Sequence, residues 1–300
     1  MKRILAFILS ALCLAGGAVS MQAAAQESLR VYISVDMEGI AGVTASDQVS
    51  FEGRDYQMAR LWTTLEANAA IEGALDAGAT EIVVNDSHGS MRNILPHELN
   101  PAARLITGTP KPLGMVEGID RGFDAALFIG YHARAGSKDG ALDHTYMGAA
   151  VHALRVNGHE MGETELNALI AGYFGVPVVL VSGDATLGEQ VRELLGEELV
   201  TVAVKESIGR YAANTLVPGE AQKLIRENVR LALERRRDIR PFQLPGPYRF
   251  ELDFLYSYQA AAAELVPGVE RAGPRSVTYV QDDPVEGMRL LRALLSLARP

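Results

Sequence analysis

The amino-acid sequence predicts an α/β fold, in which a mainly parallel sheet is covered by helices on both faces and a smaller β-rich second domain follows. Two observations support this class. Nearly continuous apolar segments alternate with segments of helical period through residues 26–240, as expected for parallel strands that are buried on both faces. After residue 240 the pattern changes to short alternating β segments and a final helix, so we predict the second domain at 241–300.

The first 25 residues are interpreted as a signal peptide. They begin with Lys2 and Arg3, continue with an apolar run and end in small residues at Ala23 and Ala25. The alternative, an uncleaved membrane anchor, needs a longer apolar segment than this run supplies. We therefore expect export across the inner membrane of a bacterium, cleavage after Ala25 and a periplasmic location. Cleavage would also remove Cys13, so the mature chain would contain neither disulfide nor thiolate chemistry.

Each element of the first half follows from its period and its stop signal. The segment 54–79 has apolar residues at helical spacing and ends at Gly78. Three apolar runs are predicted as buried strands, and they occupy residues 29–35, 80–86 and 124–131.

The second half continues the alternation. Asn157-Gly158 between two short extended runs predicts a tight hairpin, and Asp184 is a predicted helix cap. The remaining predicted elements are a helix at 163–175, a strand at 176–184, a helix at 184–196, a strand at 198–205, a helix at 219–241, β segments at 242–255 and 275–283, and a helix from residue 284.

The net charge restricts the class of partner. The chain has a formal charge of −9, and removal of the basic signal peptide would make it more negative. An acidic body is repelled by phosphate backbones and by anionic membrane surfaces. We therefore expect no nucleic-acid partner and, after cleavage, no stable membrane anchor.

Candidate functional side chains follow three of the predicted strands. Asp36 and Glu38 follow the first strand, His88 follows the second, and His132 follows the third. Ligands of open α/β sheets bind at the carboxyl ends of the strands. Asp36 and Glu38 are two residues apart, so on extended backbone their carboxylates share a face and repel each other unless a cation lies between them.

Each candidate also has an ordinary structural explanation. Asp36 can be a turn acid and Glu38 a solvated side chain, while His88 lies among turn formers and His132 can be a hydrogen-bonded core residue. Glu163 begins a helix, where acids are favoured in any case, and Glu165 competes for any role there. Together, carboxylates and imidazoles suit Zn²⁺ or Mn²⁺, and a set of this size can hold two metals.

Gly39 is expected to turn the backbone away from the site. It lies within the first of six motifs whose order resembles that of a known family. They are SVDMEGIAG, VNDSHG, KPLGMVEG, FIGYHARAG, DHTYMG and GETELNALIAGY. In these motifs the chain resembles the self-compartmentalising zinc D-aminopeptidases over essentially its whole mature length. The resemblance implies two Zn²⁺ ions per subunit and a homodecamer with enclosed active sites. Its implied metal ligands are Asp36, Glu38, His88, His132 and Glu163.

The same resemblance implies the reaction. It assigns the catalytic histidine to His144, which spacing alone would make either a proton-transfer residue or a loop histidine. The expected function is hydrolysis of N-terminal D-amino acids, such as D-Ala, from short peptides or amides by a metal-activated water. Two alternatives stay open: a periplasmic metal- or peptide-binding protein without turnover, and another metallohydrolase such as an amidase.

Overall fold

The computed structural model describes residues 28–299, so the predicted signal peptide lies outside the described residues. Twelve strands and seven α-helices lie within this range. The strands are β1 Leu29–Val35, β2 Ala79–Asp86, β3 Ala103–Ile106, β4 Ala125–Tyr131, β5 Val151–Val156, β6 His159–Glu160, β7 Val178–Asp184, β8 Val200–Gly209, β9 Ala212–Thr215, β10 Tyr248–Phe254, β11 Glu270–Arg271 and β12 Ser276–Gln281. The helices are α1 Ser46–Val49, α2 Tyr56–Asp76, α3 Glu163–Tyr173, α4 Ala185–Leu195, α5 Pro218–Glu234, α6 Ser257–Ala263 and α7 Pro284–Leu297.

The main sheet has seven strands in the order β3-β2-β1-β4-β7-β8-β9. All pairs are parallel except β8 with β9, which are antiparallel. The predicted α/β class is therefore confirmed. In the centre of the sheet, Val35 of β1 is paired with Asp86 of β2 and with Ile129 of β4, so β1 and β2 end at one level and β4 extends two residues further.

Apolar layers cover both faces of the main sheet. Alternate residues of β1 point to opposite sides: Val31 and Ile33 join a core with residues of α2 and α5, whereas Tyr32 joins a core with residues of α3 and α7. A sheet covered in this way hides both faces of its strands, which is why its strands have apolar sequences without alternation. Among residues 28–299, no helix is long and apolar enough to cross a bilayer.

The second sheet has the order β11-β12-β10-β5-β6 and its strand pairs are antiparallel. The predicted hairpin is present, because β5 and β6 are joined by Asn157 and Gly158 with φ of 52° and 80°. This hairpin contributes two strands from before residue 240 to the second sheet. The division into 26–240 and 241–300 remains a prediction, and the hairpin lies in its first range.

Five of the strands and α-helices were not predicted from the sequence: β3, α1, β9, α6 and β11. They have between two and seven residues. Segments of this length are too short for a period to emerge, and here neighbouring elements determine their conformation. The cap predicted at Asp184 is present, since its carboxylate accepts a hydrogen bond from Leu187 N at 3.0 Å.

Candidate metal centre

The carboxyl ends of β2, β1 and β4 lie side by side, and each is followed by candidate ligands. Asp36 and Glu38 follow β1, His88 follows β2, and His132 follows β4 directly. Glu163 does not follow a strand of the main sheet. It is the first residue of α3, next to the second sheet. The parallel arrangement therefore brings residues that are distant in sequence to one edge, as the strand-end rule predicts.

Two glycines allow the loop after β1 to contact the end of β4 closely. Gly39 N donates to Gly130 O at 2.7 Å, and a Cβ on Gly39 would lie 1.8 Å from Tyr131 O. Gly130 has φ of +72°, and a Cβ there would lie 2.4 Å from Asp36 O. Gly39 lies in a turn, as expected from the sequence, and it also permits close backbone contact between the loop after β1 and the end of β4.

One cluster consists of Asp36, Glu38 and His88. Its potential ligand atoms all lie within 4.8 Å of one another. His88 Nδ1 is 3.3 Å from Asp36 Oδ1 and 2.9 Å from Glu38 Oε2. Both carboxylates are buried, so bulk water does not solvate the charge of either.

A second cluster consists of His132, His144 and Glu163, again with ligand atoms within 4.8 Å. Glu163 Oε1 lies 3.5 Å from Nε2 of His132 and 3.5 Å from Nε2 of His144. The two imidazole rings stack at 4.2 Å between centroids. Asp36 connects the clusters, because its Oδ2 lies 3.5 Å from His132 Nε2.

Each of the three histidines at this site has one ring nitrogen within hydrogen-bond distance of a backbone carbonyl oxygen. His88 Nε2 is 2.7 Å from Val49 O, His132 Nδ1 is 2.9 Å from Ala133 O, and His144 Nδ1 is 3.0 Å from Leu142 O. A carbonyl can only accept, so these nitrogens carry the proton. The other nitrogen of each ring faces the carboxylates, and in the neutral ring its lone pair is available to a metal there, which is how metal-binding histidines are oriented.

Unpaired buried atoms show that the site suits a cation. Asp36 Oδ2, Glu38 Oε2 and His132 Nε2 are buried and make no hydrogen bond. An unpaired polar atom in the interior is costly, and a metal would satisfy all three. Zinc bonds of about 2.0–2.1 Å place tetrahedral ligand atoms about 3.3 Å apart, close to the 3.3 and 3.5 Å separations measured here.

The pKa values show that several ionisable side chains lie close together in the buried site. Burial, together with the charge of Glu38, raises the pKa of Asp36 to about 7. Burial disfavours the charged form of His132, but the charges of Glu163, Asp36 and Glu38 and a hydrogen bond with Glu163 together outweigh it and raise the pKa of His132 to about 10. The pKa of His144 shifts in the opposite direction, because burial and the charge of His132 lower it. Protons therefore occupy positions that a divalent cation would otherwise fill.

The two acids of α3 have separate roles. Glu165 Oε2 accepts a hydrogen bond from Gly162 N at 2.8 Å, which caps the helix. Glu163 Oε1 accepts from Tyr146 N at 2.7 Å and faces the histidines. Of the two competing acids, the geometry selects Glu163 as the candidate ligand.

Two buried lysines near the ligands were not identified from the sequence. Lys205 Nζ donates to the carbonyl oxygens of Glu38, Ile40 and Val43 at 2.5, 3.0 and 2.5 Å. Lys111 Nζ donates to Asn85 Oδ1 at 2.6 Å and to Asp86 O at 2.5 Å. Burial lowers the pKa of each to about 8, so each is mainly charged at neutral pH.

These lysines hold the loops that bear the ligands. Lys205 is buried in β8 and is paired in register with Asp184 of β7, at the same sheet edge as the ligands. The strand-end rule, extended from three strands to five, would have singled it out. Glu66 of α2 assists the same loop, because its Oε1 accepts a hydrogen bond from Ala41 N at 2.8 Å.

Comparisons with known proteins show the family of the chain. The model of peptidase family M55, described as D-aminopeptidase, matches residues 29–293. A D-aminopeptidase of Bacillus subtilis (strain 168) is 38% identical over 271 residues, which is 90% of this chain and 98% of that protein. A solved structure described as the Zn-dependent D-aminopeptidase of Bacillus subtilis, a self-compartmentalizing protease, superposes with a TM-score of 0.87 at 38% identity, again over 90% and 98% of the two chains.

Proposed function

The chain belongs to the M55 family of D-aminopeptidases, and from this we propose that it is a zinc metallo-aminopeptidase that removes N-terminal D-amino acids, such as D-Ala, from short peptides or amides. The observation that carries the proposal is the pair of connected ligand clusters at the carboxyl edge of the sheet. Their unpaired atoms, the engaged histidine nitrogens and the separations near 3.3–3.5 Å all suit zinc.

We propose two zinc ions per subunit. Asp36, Glu38 and His88 would hold one, while His132 and Glu163 would hold the other. Asp36 has one oxygen toward each cluster, with Oδ1 near His88 and Oδ2 near His132, so it would bridge the two ions. When bound, zinc supplies a Lewis acid that polarises a carbonyl and makes water a nucleophile at neutral pH.

His144 is the proposed proton carrier. Its Nδ1 hydrogen is engaged by Leu142 O, so its Nε2 is the basic atom and faces the site. Its lowered pKa leaves it neutral at neutral pH, and a neutral imidazole can accept a proton from the attacking water. The same Nε2 can then donate that proton to the leaving amine. Its side chain is 20% exposed, whereas that of His132 is 1% exposed, so His144 is the more accessible to substrate.

The substrate amine suits the charge of the site. A free α-amino group needs either an anionic partner or a metal, and Asp36 and Glu163, which both line the cavity beside the candidate metal centre, are acidic and would also hold the metal. Binding of the amine at the acidic end would place the first peptide bond next to the ligand clusters, which is the arrangement an aminopeptidase requires.

We further propose that the chain is exported to a periplasm and assembles as a homodecamer. The basic and apolar N-terminal sequence supports export, and the similarity to a protein described as a self-compartmentalizing protease supports assembly with enclosed sites. Fractionation of cells and light scattering of the purified protein test these two points separately.

The main test combines metal content with hydrolysis. The purified protein is expected to contain about two zinc ions per subunit and to hydrolyse D-Ala p-nitroanilide. Chelation should abolish the reaction and added zinc should restore it. N-acetyl-D-Ala p-nitroanilide is the matched control, because it lacks the free amine and should resist an aminopeptidase.

Other outcomes identify the alternatives. Zinc binding without hydrolysis of any of these compounds indicates a binding protein without turnover. Cleavage of the N-acetylated compound at a similar rate indicates a different amidase. Equal rates on the D-Ala and L-Ala compounds would overturn the proposed stereospecificity and leave the aminopeptidase reaction intact.

A further inference from the structure

The chain segment that bears His144 has strained backbone on both sides of the histidine. This segment spans residues 142–146, within the connection between β4 and β5, and we call it the His144 segment. Leu142 has φ of 52° and Tyr146 has φ of 56°, values that residues other than glycine rarely adopt. Strained backbone of this kind persists only where surrounding contacts hold it. The contacts made by the His144 segment therefore determine where the histidine lies.

Arg210 holds the two residues that precede His144. It lies in the turn between β8 and β9, far from the His144 segment in sequence. Its backbone O accepts a hydrogen bond from Leu142 N at 2.8 Å. Its Nη1 donates to Asp143 twice, at the backbone O and at the carboxylate oxygen Oδ1. The other carboxylate oxygen of Asp143 accepts from Gly136 N at 2.8 Å, so this carboxylate is bound on both sides.

One further hydrogen bond connects these contacts to the imidazole. Leu142 donates through its N to Arg210, and through its O it accepts the Nδ1 hydrogen of His144, with 3.0 Å between Nδ1 and O. The opposite ring nitrogen, His144 Nε2, then faces the ligand clusters and lies 3.5 Å from Glu163 Oε1. The position of His144 Nε2 therefore depends on Arg210 through the residues that Arg210 holds.

The hairpin that presents Arg210 is itself bound to the loop after β1, which bears Glu38. Lys205 of β8 donates to three carbonyls of this loop, and Thr215 Oγ1 of β9 accepts from Gly42 N of the same loop at 2.9 Å. Lys205 and Thr215 are paired in register, so they lie at one level of the hairpin. The hairpin of β8 and β9 thus contacts the loop of the first ligand cluster at this level and the His144 segment at its turn.

We propose that Arg210 is a positioning residue, which holds the His144 segment so that His144 Nε2 faces the ligand clusters. The proposal rests on the proposed function, in which His144 carries the proton. Loss of the Arg210 side chain releases Asp143 on one side, and Asp143 is bonded directly to His144. Arg210 acts through these neighbours, so its loss should slow proton transfer and leave zinc and substrate binding nearly unchanged.

Arg210→Met tests the side-chain contacts, because methionine lacks the Nη1 donor and keeps the backbone O. The kcat for D-Ala p-nitroanilide should decrease by about 10–100-fold, the loss expected when a reacting group is misplaced by about 1 Å. KM should stay within about threefold, and zinc content should stay unchanged. Arg210→Gln, with a shorter side chain, is the second variant should Arg210→Met fail to fold, with the same expected loss. An unchanged kcat in these variants would overturn the proposal.

Arg230→Met is the matched control for the loss of an arginine. The Arg230 side chain is 41% exposed, as is that of Arg210, and its Nη1 also pairs with a carboxylate, that of Glu234. Arg230→Met should leave kcat, KM and zinc content unchanged.

A double-mutant cycle separates positioning of His144 from general support of the fold. In the His144→Ala protein the imidazole is absent, so the further change Arg210→Met should alter the residual kcat by less than about threefold. A purely structural role of Arg210 would lower kcat by the same factor with or without His144. Equal losses in the two backgrounds would therefore overturn the positioning role.

Hydrogen–deuterium exchange separates this inference from the proposed function, because it needs no hydrolysis. In the zinc-loaded protein, Arg210→Met should raise the exchange rate of the amides at residues 142–146 by about tenfold or more, as the segment loses a charged partner. Amides of β1 and β2 should keep their rates. If the unchanged, zinc-loaded protein cleaves no anilide, the proposed function fails, and faster exchange in Arg210→Met still supports the hold of Arg210 on the His144 segment. Unchanged exchange at residues 142–146 would overturn this inference whatever the rate of hydrolysis.

Discussion

Replacement of Lys205 by methionine should weaken zinc binding without direct contact to the metal. Lys205 uses its three ammonium hydrogens on the carbonyls of Glu38, Ile40 and Val43, within the loop that bears Asp36 and Glu38. Methionine has a similar length but no donor. Since Ile40 O also accepts from Val43 N at 3.1 Å, the loss falls mainly on the carbonyls of Glu38 and Val43.

The expected magnitude follows from those two carbonyls. A buried acceptor that loses its partner costs about 1–3 kcal/mol, so two cost about 2–6 kcal/mol. Removal of a buried charge offsets part of this, because the ammonium no longer has to be desolvated. We expect Lys205→Met to lower the free energy of unfolding by about 2–4 kcal/mol. We also expect zinc affinity to fall by about 10–100-fold, as is typical when a residue that orients a ligand is lost.

The assay compares urea unfolding of the metal-free protein with zinc affinity from chelator competition. Lys223→Met is the control, since Lys223 is a surface lysine paired with Glu220 and should affect neither measurement. Lower stability with unchanged zinc affinity would show that Lys205 supports the fold but does not organise the ligand loop. Unchanged values in both measurements would refute the reasoning from hydrogen bonds altogether.

Four further predictions concern the ligands and their protons. Glu38→Ala should lose zinc from the Asp36 cluster, so metal analysis should show a reduced stoichiometry, and retention of the full metal content would exclude Glu38 as a ligand. His144→Ala should retain zinc and lose about 10²–10⁴-fold in kcat, whereas loss of metal would reassign His144 from proton carrier to ligand. Zinc binding at pH 7 should release about two protons or more, because His88 and His132 have raised pKa values and are protonated without metal. Calorimetry in buffers of different ionisation enthalpy measures this release, which should diminish as the pH rises through about 10, and absence of release would contradict the raised pKa values. By the same shift, protonated His132 stabilises the metal-free protein fully below pH 6.5, and this contribution should be lost as the pH rises through about 10, with urea unfolding as the measure.

The elements predicted from the sequence are those long enough to show a clear apolar run or a helical period. The apolar runs at β1, β2, β4 and β7 and the helical period of α2 are strong local signals. The strand-end rule then brought Asp36, Glu38, His88 and His132 together without any knowledge of the fold. Glu163 was harder, because its local context is that of an ordinary acid in a first helical turn, and its role depends on where α3 lies relative to β4.

Residues that act through tertiary contacts were harder to predict from the sequence. Asn167 looks like one polar residue in an apolar helix, and only the fold shows that its amide contacts Met115, Tyr131 and Tyr146. Lys205 was recoverable in principle, since a lysine that follows a run of β-branched residues at a sheet edge is unusual. The sequence does not state the strand order, however, so the neighbours of β8 were unknown.

The second sheet contributes to the site because its hairpin determines where α3, which bears Glu163, begins. The hairpin of β5 and β6 belongs to that sheet, and α3 begins three residues after β6. Met161 N donates to Leu154 O at 2.9 Å, which binds the start of this connection to β5. A rotation of the second sheet relative to the main sheet would move Glu163 away from His132 and Asn167 away from Met115 at the same time. A variant that loosens the contact between the two sheets should therefore lose zinc affinity, which chelator competition would measure.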